Sequence, residues 1–249
     1  MLPKKFKPNH QYDLLRLGKD NDGGYLVERN SIKDSKALVS FGLSEDWSFE
    51  KDFTKKYRNK TIHCYDHTVN NIFFKKLIVK RFLKIPFKGL KEFIKTIFLF
   101  FDYISFFKKN KKHFIEKIGN EKNSTNLLQT IKRIKDYPIF LKIDIEGSEY
   151  RILDDLIINS ELISGLAIEF HDIDLHEERI SNFIDKFPLT LVHTHGNNFS
   201  PLDSKGNPLA IEMSFSKNPT KISKDCIIPN ELDQKNNPRN PEVKLIFEK

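Results

Sequence analysis

Several apolar runs in this chain end abruptly in side chains that could do chemistry. The clearest is 139–149, IFLKIDIEGSE, where Ile139, Phe140, Leu141, Ile143 and Ile145 surround and precede two carboxylates, Asp144 and Glu146. A second run, GLAIEF at 165–170, carries Glu169 and passes directly into His171 and Asp172. A third, at 189–192, leads into His193, Thr194, His195, Gly196, Asn197 and Asn198, and TIHCY at 61–65 is followed by Asp66. Carboxylates and imidazoles brought together can hold a divalent cation through mixed oxygen and nitrogen ligands. They can also take the proton of a weakly acidic hydroxyl. The plainer alternative for Asp144 and Glu146 is that they only complement the positive end of the next helix.

The elements that would position these groups are strands. Apolar runs with β-branched residues, bounded by turn signals, read as buried strands. Gly147 permits a sharp turn, Ser148 can cap through its hydroxyl, and Tyr150, Leu153, Leu156 and Ile157 follow at helical spacing. The segment is therefore strand, acidic turn, helix. In open α/β sheets ligands bind at the carboxyl ends of strands, which is where Asp144 and Glu146 fall.

Earlier in the chain, Asn21-Asp22-Gly23-Gly24 lies between two apolar pieces and predicts a β-hairpin whose glycines let backbone approach a ligand. Residues 37–43, ALVSFGL, predict a strand that enters the polar turn 44–50 and then a helix to about Tyr57. This is a first βα unit of a cofactor-binding fold, but only Gly42 is present. Without G-x-G-x-x-G, and without a Walker-type lysine, NAD(P) and ATP are disfavoured. Asp66 stands 24 residues after Gly42 at the tip of the next strand, a position suited to a ribose diol. A weak fourth strand is expected at 113–118 and a helix opening at Ser124-Thr125. Further strands are expected at 165–170, 189–192 and 209–215, with a helix carrying Ile180, Phe183, Ile184 and Phe187 before the second of these.

Net charge is +8, yet 72–118 alone holds 13 basic and 3 acidic residues, a balance of +10 that leaves −2 for the remainder. Basicity therefore belongs to one segment, and nucleic acid is not an expected partner. Residues 72–107 contain 10 of the 22 phenylalanines, interleaved with lysines. Pro86 and Gly89 should divide this stretch into two helices. It reads as a helical insertion, 72–112, that serves as core packing, as a lid over the site, or as a peripheral contact with an anionic membrane. Two cysteines give neither a disulfide framework nor zinc spacing, and with no signal-peptide pattern the expected location is cytoplasmic, with membrane association through 72–112 open. The tail 218–249 is rich in Pro, Asn and Lys and is expected to carry little core. The oligomeric state is not legible.

Repeated βα alternation predicts one α/β domain over 1–249, a doubly wound, mostly parallel sheet with helices on both faces. A final strand reached by a tight polar turn should be antiparallel to its neighbour. A sheet of the methyltransferase type has this form.

The motifs KIDIEGSE, AIEFH, Asn21 to Tyr25, SFGLSEDWSFE, and HTHGNN followed by PLAIEMSF resemble, in order, those of FkbM-type S-adenosylmethionine-dependent O-methyltransferases. The resemblance runs from about Leu14 to Ser216 and breaks at the Phe/Lys insertion. It implies methyl transfer from S-adenosyl-L-methionine to a hydroxyl, often on a sugar, and here a nucleotide-linked sugar or a surface-glycan precursor as in capsule or polysaccharide biosynthesis. By position it implies that Ser40, Gly42 and the turn from Glu45 to Glu50, Asp46 and Ser48 in particular, line the cofactor's methionine end and ribose. Asp66 would take the ribose hydroxyls, and Asp22, Gly23, Gly24 and Tyr25 would close over the cofactor. Two mechanisms stay open: His195, Glu146 or Asp144 acting on the acceptor's proton, or Asp144, Glu169 and His171 holding Mg²⁺ or Mn²⁺ that binds the acceptor. The rival from another class is a non-catalytic membrane- or glycan-binding module on the same fold, which vesicle flotation separates from an enzyme.

Overall fold

Alternate residues of the central strands serve two separate cores, and this alternation sets the architecture of the computed structural model, which describes residues 1–57, 59–84 and 89–249. In chain order come β1 (Gln11–Tyr12), β2 (Leu14–Leu17), β3 (Tyr25–Glu28), α1 (Arg29–Asp34), β4 (Ala37–Phe41) and α2 (Ser48–Lys56). Next are β5 (Thr61–Tyr65), α3 (Asn71–Phe82), α4 (Leu90–Phe106), β6 (Lys111–Phe114), α5 (Leu127–Ile134) and β7 (Ile139–Ile143). The chain continues with α6 (Leu153–Ile158), β8 (Ile163–Phe170), α7 (Ile173–Lys186), β9 (Thr190–Gly196), β10 (Ile211–Ser216) and β11 (Lys221–Ser223).

Seven strands form one sheet in the order β6-β5-β4-β7-β8-β10-β9. All neighbours are parallel except β10, which runs antiparallel to both β8 and β9. This is the doubly wound, mostly parallel arrangement with a last antiparallel strand that the sequence predicts. Ala37, Val39, Phe41, Ile139, Leu141 and Ile143 point to one face and pack with α5, α6 and α7. Leu38 and Phe140, one residue out of phase, point to the other and pack with α2 and the hairpin β2–β3. Both faces are thus covered, which is why these strands read as continuous apolar runs. Each of these side chains except Ala37 contributes roughly 1.5–3 kcal/mol through burial.

Helix α5 begins at a capping box: Asn126 accepts from the Gln129 amide, and the Gln129 side chain accepts from the Asn126 amide. That reciprocal pair places the start two residues later than Ser124-Thr125. Strand β6 also lies earlier than expected, because Lys111 and Lys112 pair with Ile62 and His63 at the sheet edge, where lysines are tolerated.

The insertion between β5 and β6 forms two helices, α3 and α4, as expected; Pro86 lies outside the described residues. Among the described residues no helix is long and apolar enough to cross a membrane. The C-terminal tail differs most from expectation. It returns along the molecule, with β11 pairing to β1, Phe247 bridging to Leu2, and Leu245, Asn230 and Asn236 buried. Its few apolar residues hid this role, because its anchors are asparagines and carboxylates and not a hydrophobic stripe.

Candidate active site

The sheet reverses its winding between β4 and β7, the crevice position where α/β folds take ligands. Register places one row of residues across the sheet at its carboxyl edge. Glu169 lies opposite Glu212, and Glu212 opposite His195. The β-ladder extends to Asp144, whose amide donates to the Phe41 carbonyl, to Gly42, whose amide donates to Tyr65, and to Asp66, whose amide donates to Phe114. One row deeper stand Ser40 and Lys142, paired in register. Side chains two apart share a face, so Ser40 follows Leu38, Lys142 follows Phe140, and Glu169 follows Ala167 toward the hairpin side. The hairpin-side face therefore adds a band of buried ionisable groups to its apolar core.

A cavity of about 480 Å³ opens at this reversal point. That size lies within the roughly 300–1,000 Å³ of small-molecule and cofactor sites. Its walls carry eight carboxylates (Asp22, Glu45, Asp46, Glu50, Asp66, Glu116, Asp144 and Glu146) against three lysines (Lys19, Lys117 and Lys142). An acidic cavity repels a pyrophosphate and favours a ligand with cationic groups.

Gly42 and Asp22, Gly23, Asp46, Asp66, Asp144 and Glu146 line the cavity. Gly42 has φ +83°, and a Cβ there would lie 1.7 Å from the Asp144 carbonyl oxygen. Only glycine lets β4 and β7 come this close at their tips. Gly42→Ala is expected to cost about 2–5 kcal/mol by combining left-handed strain with overpacking, read as a lowered midpoint in urea unfolding; an unchanged midpoint would show that the two tips are free to separate.

Gly23 sets the hairpin tip against the β4–α2 turn, since a Cβ there would meet Asp46 Oδ2 at 2.6 Å. Lys19 pairs with the same carboxylate at 3.0 Å. Asp46 also accepts from the Ser48 amide at 2.9 Å and the Ser48 hydroxyl at 3.0 Å, so Ser48 steadies the turn from outside the cavity wall. Ser40 is likewise behind the wall, its hydroxyl donating to Glu50 Oε1 at 2.5 Å. Gly24 and Tyr25 stand outside the lining too. The Tyr25 hydroxyl instead reaches Asp144 Oδ2 at 3.0 Å and Glu169 Oε2 at 3.2 Å.

Asp66 is fully engaged by protein. Oδ2 accepts from the Leu43 and Ser44 amides at 2.9 and 3.0 Å, and Oδ1 accepts from the Thr68 amide and hydroxyl at 2.7 and 2.6 Å. Burial alone would raise its pKa, but these four bonds hold it below the usual carboxylate value. They fill the roughly four lone-pair sites of a carboxylate. Asp66 thus shapes the 43–44 turn, and a ribose diol would have to displace one of its partners.

Asp144, Glu169 and His171 come together, with one ligand atom from each inside a span of 4.8 Å. Glu149, fully buried, accepts from the His171 amide at 2.8 Å and lies 3.2 Å from Nδ1. That leaves Nε2 directed toward Glu146 at 3.5 Å and Glu169 at 3.9 Å. Asn197 donates to Glu169 Oε1 at 2.6 Å. Burial, then Asp144 and Glu212, push the Glu169 pKa well above the ordinary range. Burial opposes charge on His171, but the Glu149 bond and the carboxylates around it raise its pKa to about 9. Two carboxylates and an imidazole oriented by a further carboxylate fit a hard divalent cation such as Mg²⁺ or Mn²⁺.

Glu146 has φ +52°, one of three non-glycine residues in the left-handed region just beyond strand tips, with Ser44 at +49° and Asp172 at +50°. Such conformations concentrate at functional sites. Its side chain is 85% exposed, and the first-turn acid of the short helix that follows is Glu149. Glu146 is therefore not the cap.

His195 is placed elsewhere. It is buried, with Nδ1 3.3 Å from Glu212 and Nε2 2.9 Å from Glu242. Burial opposes its charge, but these two carboxylates raise its pKa to about 10. With both nitrogens committed and a proton on each at neutral pH, it cannot serve as a general base. His193 lies on the same strand face, its Nε2 2.9 Å from Asp233. These histidines tie down the tail, as does Asn198, which donates to the carbonyls of Asn237, Asn240 and Pro241. The tail in turn holds the hairpin tip: the Asn236 carbonyl accepts from the Asp22 amide, and Asn21 donates to Lys235.

A pH effect on stability follows. The folded pKa values of His195 and His171 exceed the ordinary value of 6.5, so the folded state binds extra protons. Their contribution is fully present below pH 6.5 and is lost as pH rises through about 9 and 10. Thermal melting should fall steadily from pH 6.5 to 10, and His195→Gln should flatten that slope; an equally steep slope in the variant would remove His195 from the account.

Sequence reasoning missed Lys142, and it reached Glu50 only as the last residue of the 45–50 turn. Lys142 is buried, lines the cavity, and among the described residues makes one hydrogen bond, to the Gly42 carbonyl at 3.2 Å. Burial opposes its charge, but Asp144, Glu50 and Asp46 raise its pKa. Glu50 is 1% exposed and also lines the cavity, and among the described residues its Oε2 has no partner. The available signal was a lysine inside an otherwise apolar strand.

No protein-family model and no curated protein matches the sequence. Among solved structures the chain is similar to the crystal structure of M. jannaschii TYW2 in complex with AdoMet, at 12% identity and a TM-score of 0.33, over 77% of this chain and 73% of that one.

Proposed function

We propose that this protein is an S-adenosylmethionine-dependent O-methyltransferase acting on a sugar hydroxyl of a nucleotide-linked sugar or surface-glycan precursor. The observation that carries the reading is the reversal-point cavity, acidic overall, with a buried lysine and a buried carboxyl group, the latter's pKa raised by burial, whose hydrogen-bonding capacity is unspent. Among the described residues Lys142 has two donors to spare and Glu50 one oxygen. A zwitterionic amino-acid end fits between them, its carboxylate on Lys142 and its amino group on Glu50. The remaining carboxylates suit a sulfonium, which supplies the activated methyl group. The motif-level resemblance to FkbM-type enzymes supports the same reading.

In this reading the hairpin residues Asp22 and Gly23 cover the cofactor, while Asp46 and Asp66 hold the turn against which it rests. Asp144 faces the reacting centre. The acceptor hydroxyl approaches the Asp144–Glu169–His171 group, where a carboxylate takes its proton in an in-line transfer. A divalent cation held by those three residues would acidify the hydroxyl as a Lewis acid. His171 must lose a proton to become a ligand, so cation binding should tighten as pH rises from 7 to 9.

Methyl-labelled donor offered with nucleotide-sugars and lipid-linked sugars, followed by mass detection of one methyl increment, tests the reading. Turnover lost in chelator and restored by Mn²⁺ selects the metal route; full turnover in chelator selects the carboxylate route. Donor binding with no increment on any sugar would reject the sugar acceptor and leave the cofactor assignment standing.

A further inference from the structure

Helix α4 is apolar on the side turned away from the protein. Leu90, Ile94, Phe98, Phe101 and Ile104 recur at helical spacing and are 43–69% exposed. At 1.5 Å per residue, its 17 residues make a ridge about 25 Å long. On neighbouring α3, Ile72, Val79, Phe82 and Leu83 are exposed as well. The opposite side of the pair is firmly attached. Phe74, Thr96 and Phe106 are buried, the Trp47 indole and Lys51 ammonium donate to Asp102, and Arg81 bonds Thr96 and Glu45. The bare face is therefore a fixed surface of the folded protein.

Its charge says what covers it. Lys75, Lys76, Lys80, Lys84, Lys91 and Lys95 are exposed around the apolar ridge. Among the described residues only Lys95 has a carboxylate within 4 Å, the exposed Glu92 at 3.5 Å. A second copy of the chain would bring lysines against lysines. We propose that this face docks on an anionic lipid bilayer, with the apolar ridge at the headgroup boundary and the lysines on lipid phosphates. Amphipathic helices with Phe and Leu on one side and flanking lysines bind membranes in this way, through apolar burial plus attraction to anionic lipid. Because Arg81 pairs with Glu45 on the cavity wall, docking would hold the cavity rim about one helix diameter, roughly 10–12 Å, from the lipid. The proposal does not depend on the chemistry of the cavity.

The test is co-sedimentation of the full chain with extruded vesicles of phosphatidylcholine alone or with one-third phosphatidylglycerol. Binding is expected to the anionic vesicles only, and to weaken in 0.5 M salt through screening of the lysines. The double variant Phe98→Glu/Phe101→Glu and the triple variant Lys75→Glu/Lys76→Glu/Lys80→Glu should each reduce binding at least about tenfold. All five side chains are exposed, so melting temperature should be unchanged, and that measurement keeps misfolding apart from lost docking. The proposal is overturned if the unmodified chain stays in the supernatant with anionic vesicles, or if polyglutamate binds it equally well regardless of Phe98 and Phe101. Sedimentation equilibrium showing a dimer that the phenylalanine variant abolishes, without vesicle binding, would overturn it in favour of self-association.

Discussion

Lys142→Met should weaken binding of S-adenosylmethionine roughly 10–150-fold while leaving the fold intact. Methionine keeps much of the lysine's length but removes the cation from a site where Asp144, Glu50 and Asp46 all raise its pKa. A hydrogen bond to a charged group contributes about 1.5–3 kcal/mol, and each 1.4 kcal/mol is about tenfold in affinity. The loss should be visible by calorimetry with either the donor or its demethylated product, because both carry the same carboxylate. Glu50→Gln should weaken binding through the amino group. Since both charges would grip one ligand, the double variant should lose less than the product of the single losses. Unchanged affinity in Lys142→Met would remove the amino-acid end from this part of the cavity.

Asp144→Asn is expected to have the larger effect on turnover. Asparagine preserves size and can still accept from the Tyr25 hydroxyl, which lies 3.0 Å from Asp144 Oδ2. It cannot take a proton, and it is a poor ligand for a hard cation. Turnover should fall by roughly 10²–10⁴, the usual range for a positioned acid–base group, with affinity for the uncharged product S-adenosylhomocysteine changed little. Glu146→Gln should cost far less, because that side chain is 85% exposed and touches the group only through His171. If the two variants lost equal activity, the reacting centre would lie toward the cavity mouth and not at the Asp144–Glu169–His171 group.

The parts legible in the sequence were those written as apolar periodicity. The βα alternation, the antiparallel last strand and the paired helices of the insertion all follow from runs such as 37–43 and 139–145. Convergence of Asp144, Glu169 and His171 was also legible, because all three close apolar strands and parallel strands end on the same edge. Lys142 and Glu212 were harder to see. Each sits inside a run otherwise long enough to read as core, and only the register between strands reveals that they share a face.

His195 went astray for a related reason. Its position at a strand end suited a base, but its partners Glu242 and, for His193, Asp233 come from a tail with no hydrophobic pattern. Polar anchoring over 40 residues or so of separation leaves no periodic signal. Asp66 shows a milder version. Its strand-tip position was legible, while the four hydrogen bonds that occupy it depend on how the 43–44 and Thr68 turns fold back.

Isothermal titration decides whether the acidic cavity at the β4–β7 reversal takes a sulfonium cofactor. S-adenosylmethionine should bind one-to-one and more tightly than S-adenosylhomocysteine, because only the former carries the sulfonium charge that the carboxylates favour. NAD⁺ should give no heat. Binding of NAD⁺ with no heat from either S-adenosyl compound, in the presence or absence of Mn²⁺, would rule out a sulfonium cofactor in this cavity.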